Sequence, residues 1–166
     1  MKELAPPDSH HFSAADGWLG LNSPRDAQAE LDKISKKHQS HLAVMELQWQ
    51  VHAKAKRWEN AVETAQAITK KHPKAPFGWI HLAYALHELR RTQEAYDSLT
   101  AILDRFPNEW LMRYNMACYA VQLGNLDEGT TWLERARNAG DRNEIEKLFA
   151  TDPDLEPLRK PGKNES

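Results

Sequence analysis

Eight histidines and one cysteine are the residues of this 166-residue chain best suited to hold a metal or move a proton. His38-Gln39-Ser40-His41 sets two imidazoles three apart, and His10 and His11 are adjacent. Neither pair has a carboxylate or thiolate spaced to complete a tetrahedral set, so neither reads as a zinc site. His81 and His87 stand six apart, too far around a helix to chelate one ion unaided, although both could tune the charge of a binding surface between about pH 6 and 7. Cys118 is the only thiol, which excludes an internal disulfide and any cysteine-rich metal site. On a helix it reads as a small apolar filler rather than half of a Cys–His dyad. The sequence holds no glycine-rich phosphate loop, no His-Glu-x-x-His helix and no Gly-x-Ser-x-Gly elbow. These residues predict no catalysis, no cofactor and no metal; the alternative is a histidine-dependent metal sensor or enzyme on an α-helical scaffold.

A net charge of −2 argues against a nucleic-acid surface built on overall positive charge. The charge is uneven, with a surplus of five positive charges over residues 31–74 and a deficit of four over 75–166, an asymmetry able to orient a partner. No segment approaches the roughly 20 apolar residues needed to span a bilayer. The start, Met1 to Asp8, has no apolar run before its prolines and does not read as a signal peptide. The expectation is a cytoplasmic protein with no membrane partner, and a single cysteine fits a reducing compartment.

The elements that position these residues follow from a period of 34. Ala27, Ala61, Ala95 and Gly129 fall in register, followed at the fourth position by Leu31, Ala65, Leu99 and Leu133, then by Ile34, Ile68, Ile102 and Ala136. Pro73 and Pro107 keep the same spacing. A fixed period of this length signals stacked repeats, each burying its apolar side on the next. Apolar spacing and breakers predict helices from Ser9 to about Leu21, then near 24–38, 41–55, 58–71, 76–89, 92–105, 109–122 and 126–138, with no strand. Ser23-Pro24 with Asp26, and Asn125 with Glu128, read as N-terminal caps, and Gly124 as a left-handed C-cap. Asp141 with Glu144 starts a shorter helix, and Asp152-Pro153 a last turn carrying Leu155 and Leu158. The expected organisation is a disordered stretch 1–8, one domain over 9–160 (repeats 9–40, 41–74, 75–108 and 109–140, cap 141–160) and a disordered tail 161–166.

The pattern resembles the tetratricopeptide repeat. Trp79, Leu82, Ala83 and Leu86, then Ala95, Leu99, Ile102 and Pro107, match it best, and Tyr114 to Ala120 with Leu123-Gly124 resembles its first helix. Gly129 departs from the usual Ala, Trp49 stands where a small residue is usual, and the first unit is degenerate. The ending Asp152-Pro153-Asp154-Leu155-Glu156-Pro157-Leu158 is similar to the tail of certain small bacterial members. The resemblance implies an all-α solenoid of about four helix-turn-helix repeats with a C-terminal capping helix. The six tryptophans are then mainly packing.

In that family the first helix of each repeat lines a concave groove. Carried over, the groove comprises Glu46, Gln50, Phe77, Ile80, His81, Tyr84, His87, Leu111, Tyr114, Asn115, Cys118 and Gln122, and its best-formed part lies around His81, Tyr84, Tyr114 and Asn115. Aromatic rings with amides suit an extended peptide. Of the polar residues that clamp a C-terminal carboxylate in some members only Asn115 is present, while His81 and Glu46 stand where basic residues would help, so an acidic chaperone-type C-terminus is disfavoured. The resulting expectation is a protein-interaction module binding a peptide or protein of unknown identity, with self-association possible. A dedicated chaperone for a secreted protein is the alternative in the same class.

Overall fold

The positions in register are the ones that leave solvent. In a computed structural model describing residues 4–160, Ala27, Ala61 and Ala95 are 0 % exposed and Gly129 is buried, as are the apolar residues that follow each of them. A helix with a stripe of small residues lets its partner approach closely, and the larger Leu and Ile then interlock. The described residues form ten α-helices, two 3₁₀ turns and no strand. None of these helices is long and apolar enough to cross a membrane.

The chain divides into two compact units, residues to Ala85 and residues from Leu86. The first holds α1 (Asp8–Gly20), α2 (Pro24–Leu31), α3 (Leu42–Lys54), α4 (Trp58–Lys71) and most of α5 (Pro76–Glu88). Its core gathers Ala15, Ala27, Leu31, Ile34, Val44, Leu47 and Val51, with Leu4, Phe12 and Leu19 packed on the edge. Gly78 lets α5 lie close to α4, since a Cβ there would stand 2.7 Å from Ile68 Cγ2. The second unit holds the end of α5, then α6 (Thr92–Thr100), a 3₁₀ turn (Leu103–Arg105), α7 (Trp110–Gln122), α8 (Leu126–Ala139) and α9 (Arg142–Thr151). A second 3₁₀ turn (Pro153–Leu155) and α10 (Glu156–Arg159) complete it. Residues 1–3 and 161–166, parts of the segments expected to be disordered, lie outside the described residues.

Two helices end earlier than periodicity predicts. α2 stops at Leu31 rather than near 38, because the Gln39 side-chain amide donates to the Leu31 and Ile34 carbonyls (3.1 and 2.8 Å) and satisfies acceptors left open at the helix end. The segment beyond is held by Asp8, which falls in the stretch expected to be disordered yet is 4 % exposed. Its carboxylate accepts from the Ser35 amide (2.9 Å), the Ser35 hydroxyl and His38 Nδ1 (2.5 Å). These bonds, the Ser35 hydroxyl foremost, hold it well below the usual carboxylate range. α6 likewise gives way after Thr100 to the 3₁₀ turn before Pro107. Two expected caps also differ: Ser23 Oγ donates to Asp26 Oδ2 (2.5 Å) instead of capping the backbone, and Glu128 accepts from Tyr96 while Asn125 makes no side-chain cap. Asp141 does cap α9, accepting from Glu144 N (3.0 Å).

A further repeat lies in the backbone. Asn22, Lys56, Arg90 and Gly124, successively 34 apart, take φ of 62°, 53°, 63° and 90°. After each, the next amide reaches back to the carbonyl five residues earlier: Ser23 to Trp18, Arg57 to His52, Arg91 to Leu86 and Asn125 to Ala120, all at 2.9 Å. This is the 6→1 bond of the Schellman motif, and it turns the chain sharply between the two helices of a repeat. Glycine occupies the fourth turn only; a side chain in this region costs about 1 kcal/mol or more.

Three outcomes follow from this packing. Lys56→Gly and Arg90→Gly should each raise stability by about 0.5–1 kcal/mol in urea unfolding. Gly129→Ala, a change toward the family pattern, should instead lower it by about 1–3 kcal/mol, because the new Cβ would lie 2.5 Å from Val121 Cγ2. His52, half-buried on α3 and accepting from Gln48 Nε2 (3.0 Å), is held neutral by desolvation, with Arg57 adding to the effect, its pKa lowered to about 4. The unfolded chain therefore binds its proton first as pH falls, and stability should drop between about pH 6.5 and 4. His52→Gln should remove on the order of 1 kcal/mol of that drop, read from urea midpoints at pH 7 and 4.5.

Candidate functional site

The expected groove residues fall into two sets, one in each unit. In the first, α3 carries Glu46 and Gln50 four apart on one face, and α5 carries Phe77, His81 and Tyr84 at intervals of four and three. Trp49 ties the helices together. Its ring meets His81 edge-on at 4.4 Å between centroids, Phe77 at 5.9 Å and Tyr84 at 6.2 Å, and Tyr84 in turn meets Trp58 at 5.8 Å. His81 stacks on Phe77 at 3.7 Å, and its Nδ1–H donates to the Phe77 carbonyl at 2.9 Å. Burial lowers the His81 pKa, so the ring enters this cluster as a neutral aromatic. Burial raises the pKa of Glu46, against opposing pulls from His72 and His41. Ile80 points away from solvent and is core.

Beside this cluster opens a cavity of about 420 Å³ lined by Leu19, Trp49, Gln50, Ala53, Lys54, Trp58 and Tyr84. Tyr84 is 39 % exposed and Gln50 and Lys54 are exposed, whereas Trp49 is 5 % exposed and forms a fixed wall. The cavity can take an apolar side chain against three rings, with an amide and an ammonium at its rim. Gln50 and Tyr84 were legible from sequence. Trp49 read as an anomaly in a crevice, and Trp58 as packing. The signal that could have found the cavity is the 50, 53, 54 spacing on α3, one helical face followed by Trp58 across the turn.

The second set is covered by the chain itself. Tyr114 OH donates to Asp152 Oδ2 (3.0 Å), the Cys118 thiol lies 3.6 Å from the same oxygen, and Gln122 donates to the Asp154 carbonyl (3.0 Å). His87 Nε2 meets Asp154 Oδ2 at 3.1 Å, and its ring tilts over Tyr119. Tyr114 is 3 % exposed and Leu155 fully buried; Leu111 and Asn115 are half-buried. Burial pushes the Tyr114 hydroxyl and the Cys118 thiol well above their usual ranges, reinforced by the aspartates beside them.

Most of the histidines serve as local ties. His11 bonds Glu30 (2.9 Å), His38 bonds Asp8, and His72 Nε2 donates to the Ser40 carbonyl (2.9 Å). Among the described residues, three ligand-type atoms come within 4.8 Å of one another at Cys118, Asp152 and Asp154. Asp152 is already engaged there by Tyr114, Cys118 and the Asp154 amide.

Comparison with known proteins identifies the repeat. Comparison with curated proteins gives no match. Among solved structures, the chain is similar to TTC0263, a thermophilic TPR protein in Thermus thermophilus, at 15 % identity over 89 % of this chain and 84 % of that one, with a TM-score of 0.73. A MamA structure from RS-1 matches at 14 % identity over 88 % and 79 %, TM-score 0.68, and one from MSR-1 at 18 % over 84 % and 77 %, TM-score 0.64. These likenesses concern the fold. The sequence profile of the tetratricopeptide repeat matches residues 13–76, 50–109 and 80–143. With overlapping matches across most of its length, the chain belongs to the tetratricopeptide repeat family.

Proposed function

We propose that this protein is a non-catalytic interaction module that takes a peptide or protein partner on the faces of α3 and α5, in the groove bounded by Glu46, Gln50, Phe77, His81 and Tyr84. The observation that carries the reading is the aromatic cavity of Trp49, Trp58 and Tyr84. A cavity walled by the buried Trp49 and half-buried Trp58, with Tyr84 exposed at its edge, can bind an apolar side chain at little entropic cost, because packed rings have few rotamers to lose. Gln50 offers an amide that can both donate to and accept from an extended backbone. Lys54 at the rim, within the positively charged stretch 31–74, favours a partner with a carboxylate next to its apolar anchor. Within this groove the His81 ring is stacked on Phe77 with its Nδ1–H on the Phe77 carbonyl, which fixes it as part of the aromatic wall.

The partner recovered by affinity purification, once identified by mass spectrometry, can be titrated against purified variants. Tyr84→Ala should keep the helical circular dichroism and weaken binding by about 2 kcal/mol, roughly 30-fold. Gln50→Ala should cost about 1 kcal/mol. Unchanged affinity in both would remove the groove assignment.

A further inference from the structure

We propose that Asp152–Arg159 is a tethered ligand of the fourth repeat, and that the face beneath it takes in trans a partner segment of the same chemistry: two aspartates about a proline, followed by leucine. This site is separate from the aromatic cavity and does not depend on it.

The contacts have the character of peptide recognition. Side chains of α5 and α7 read the segment with a phenol, a thiol, an amide and an imidazole: Tyr114 and Cys118 converge on the Asp152 carboxylate, His87 meets that of Asp154, and Gln122 takes the Asp154 carbonyl. Leu155 fills the apolar position and is 0 % exposed, while Pro153, Glu156 and Pro157 face solvent. A 3₁₀ turn of three residues and a helix of four have no stability of their own, so this conformation depends on the surface that holds it. Pro153 and Pro157 bring no amide N–H, and the Asp154 amide is satisfied internally by Asp152 Oδ1 (3.0 Å). The segment thus arrives with few unmet donors, as a separable ligand would. A tether lends it a high effective concentration, which a partner must overcome.

Cys118 lies under the segment and is the only cysteine, so in the full-length chain its reaction with a disulfide reagent such as DTNB reports lifting directly. In wild type, labelling should be slow and depend only shallowly on urea, the mark of local opening. Leu155→Ala should accelerate it at least 10-fold with helicity retained. Asp154→Asn, which removes a charge with little loss of apolar burial, should accelerate it several-fold and serves if Leu155→Ala does not fold. A synthetic Asp-Pro-Asp-Leu-Glu-Pro-Leu-Arg peptide at millimolar concentration should slow labelling of either variant at least fivefold, and the same peptide with both aspartates changed to asparagine should not. The proposal is overturned if wild-type labelling has the urea dependence of global unfolding, which makes the segment permanent core. It is equally overturned if the peptide leaves the variants unprotected, or if protection of wild type rises with protein concentration, which assigns the segment to exchange between copies.

Discussion

Close approach of helices at small residues is the constraint on which the rest depends. Ala27, Ala61 and Ala95 have no exposed surface, and at the fourth position the available room shrinks further, so that a Cβ at 129 would collide with Val121 unless that side chain shifts. Once helices lie this near, Leu31, Ile68, Leu99 and Leu133 reach across and are buried, each worth about 1.5–3 kcal/mol. That gain exceeds the roughly 1 kcal/mol cost of a left-handed turn at a residue with a side chain, so the Lys56 and Arg90 turns persist without glycine.

Much of this was legible because it is periodic and local. Helix starts at Pro24, Trp58, Pro76 and Leu126 follow from breakers and apolar spacing, and Gly124 announces its own turn. What escaped is either non-local or carried by backbone. Nothing about Lys56 or Arg90 as residue types demands positive φ; the demand comes from the register they share with Gly124. Asp8 finds Ser35 and His38 across 27 and 30 positions, a pairing that no helical window contains. The early end of α2 is settled by one glutamine side chain that outcompetes continued helix.

The candidate site was legible in part for the same reason. Gln50, His81 and Tyr84 could be assigned to one expected groove because they sit on predictable faces of predictable helices. Trp49 is buried packing, as the sequence implies, but its partners lie on another helix and no window of its own repeat names them: a residue oversized there becomes the ring that Phe77, His81 and Tyr84 pack around. Conversely Tyr114, Cys118 and Gln122 stand on the face expected to form the groove, and what lies against them is a later segment of the same chain.

Burial of Cys118 changes what a single cysteine can say about where the protein works. A thiol kept protonated by its surroundings is a poor nucleophile and oxidises slowly. Held beneath Asp152, it is chemically quiet in either redox environment, so the residue that in sequence favoured a reducing compartment carries no information about one.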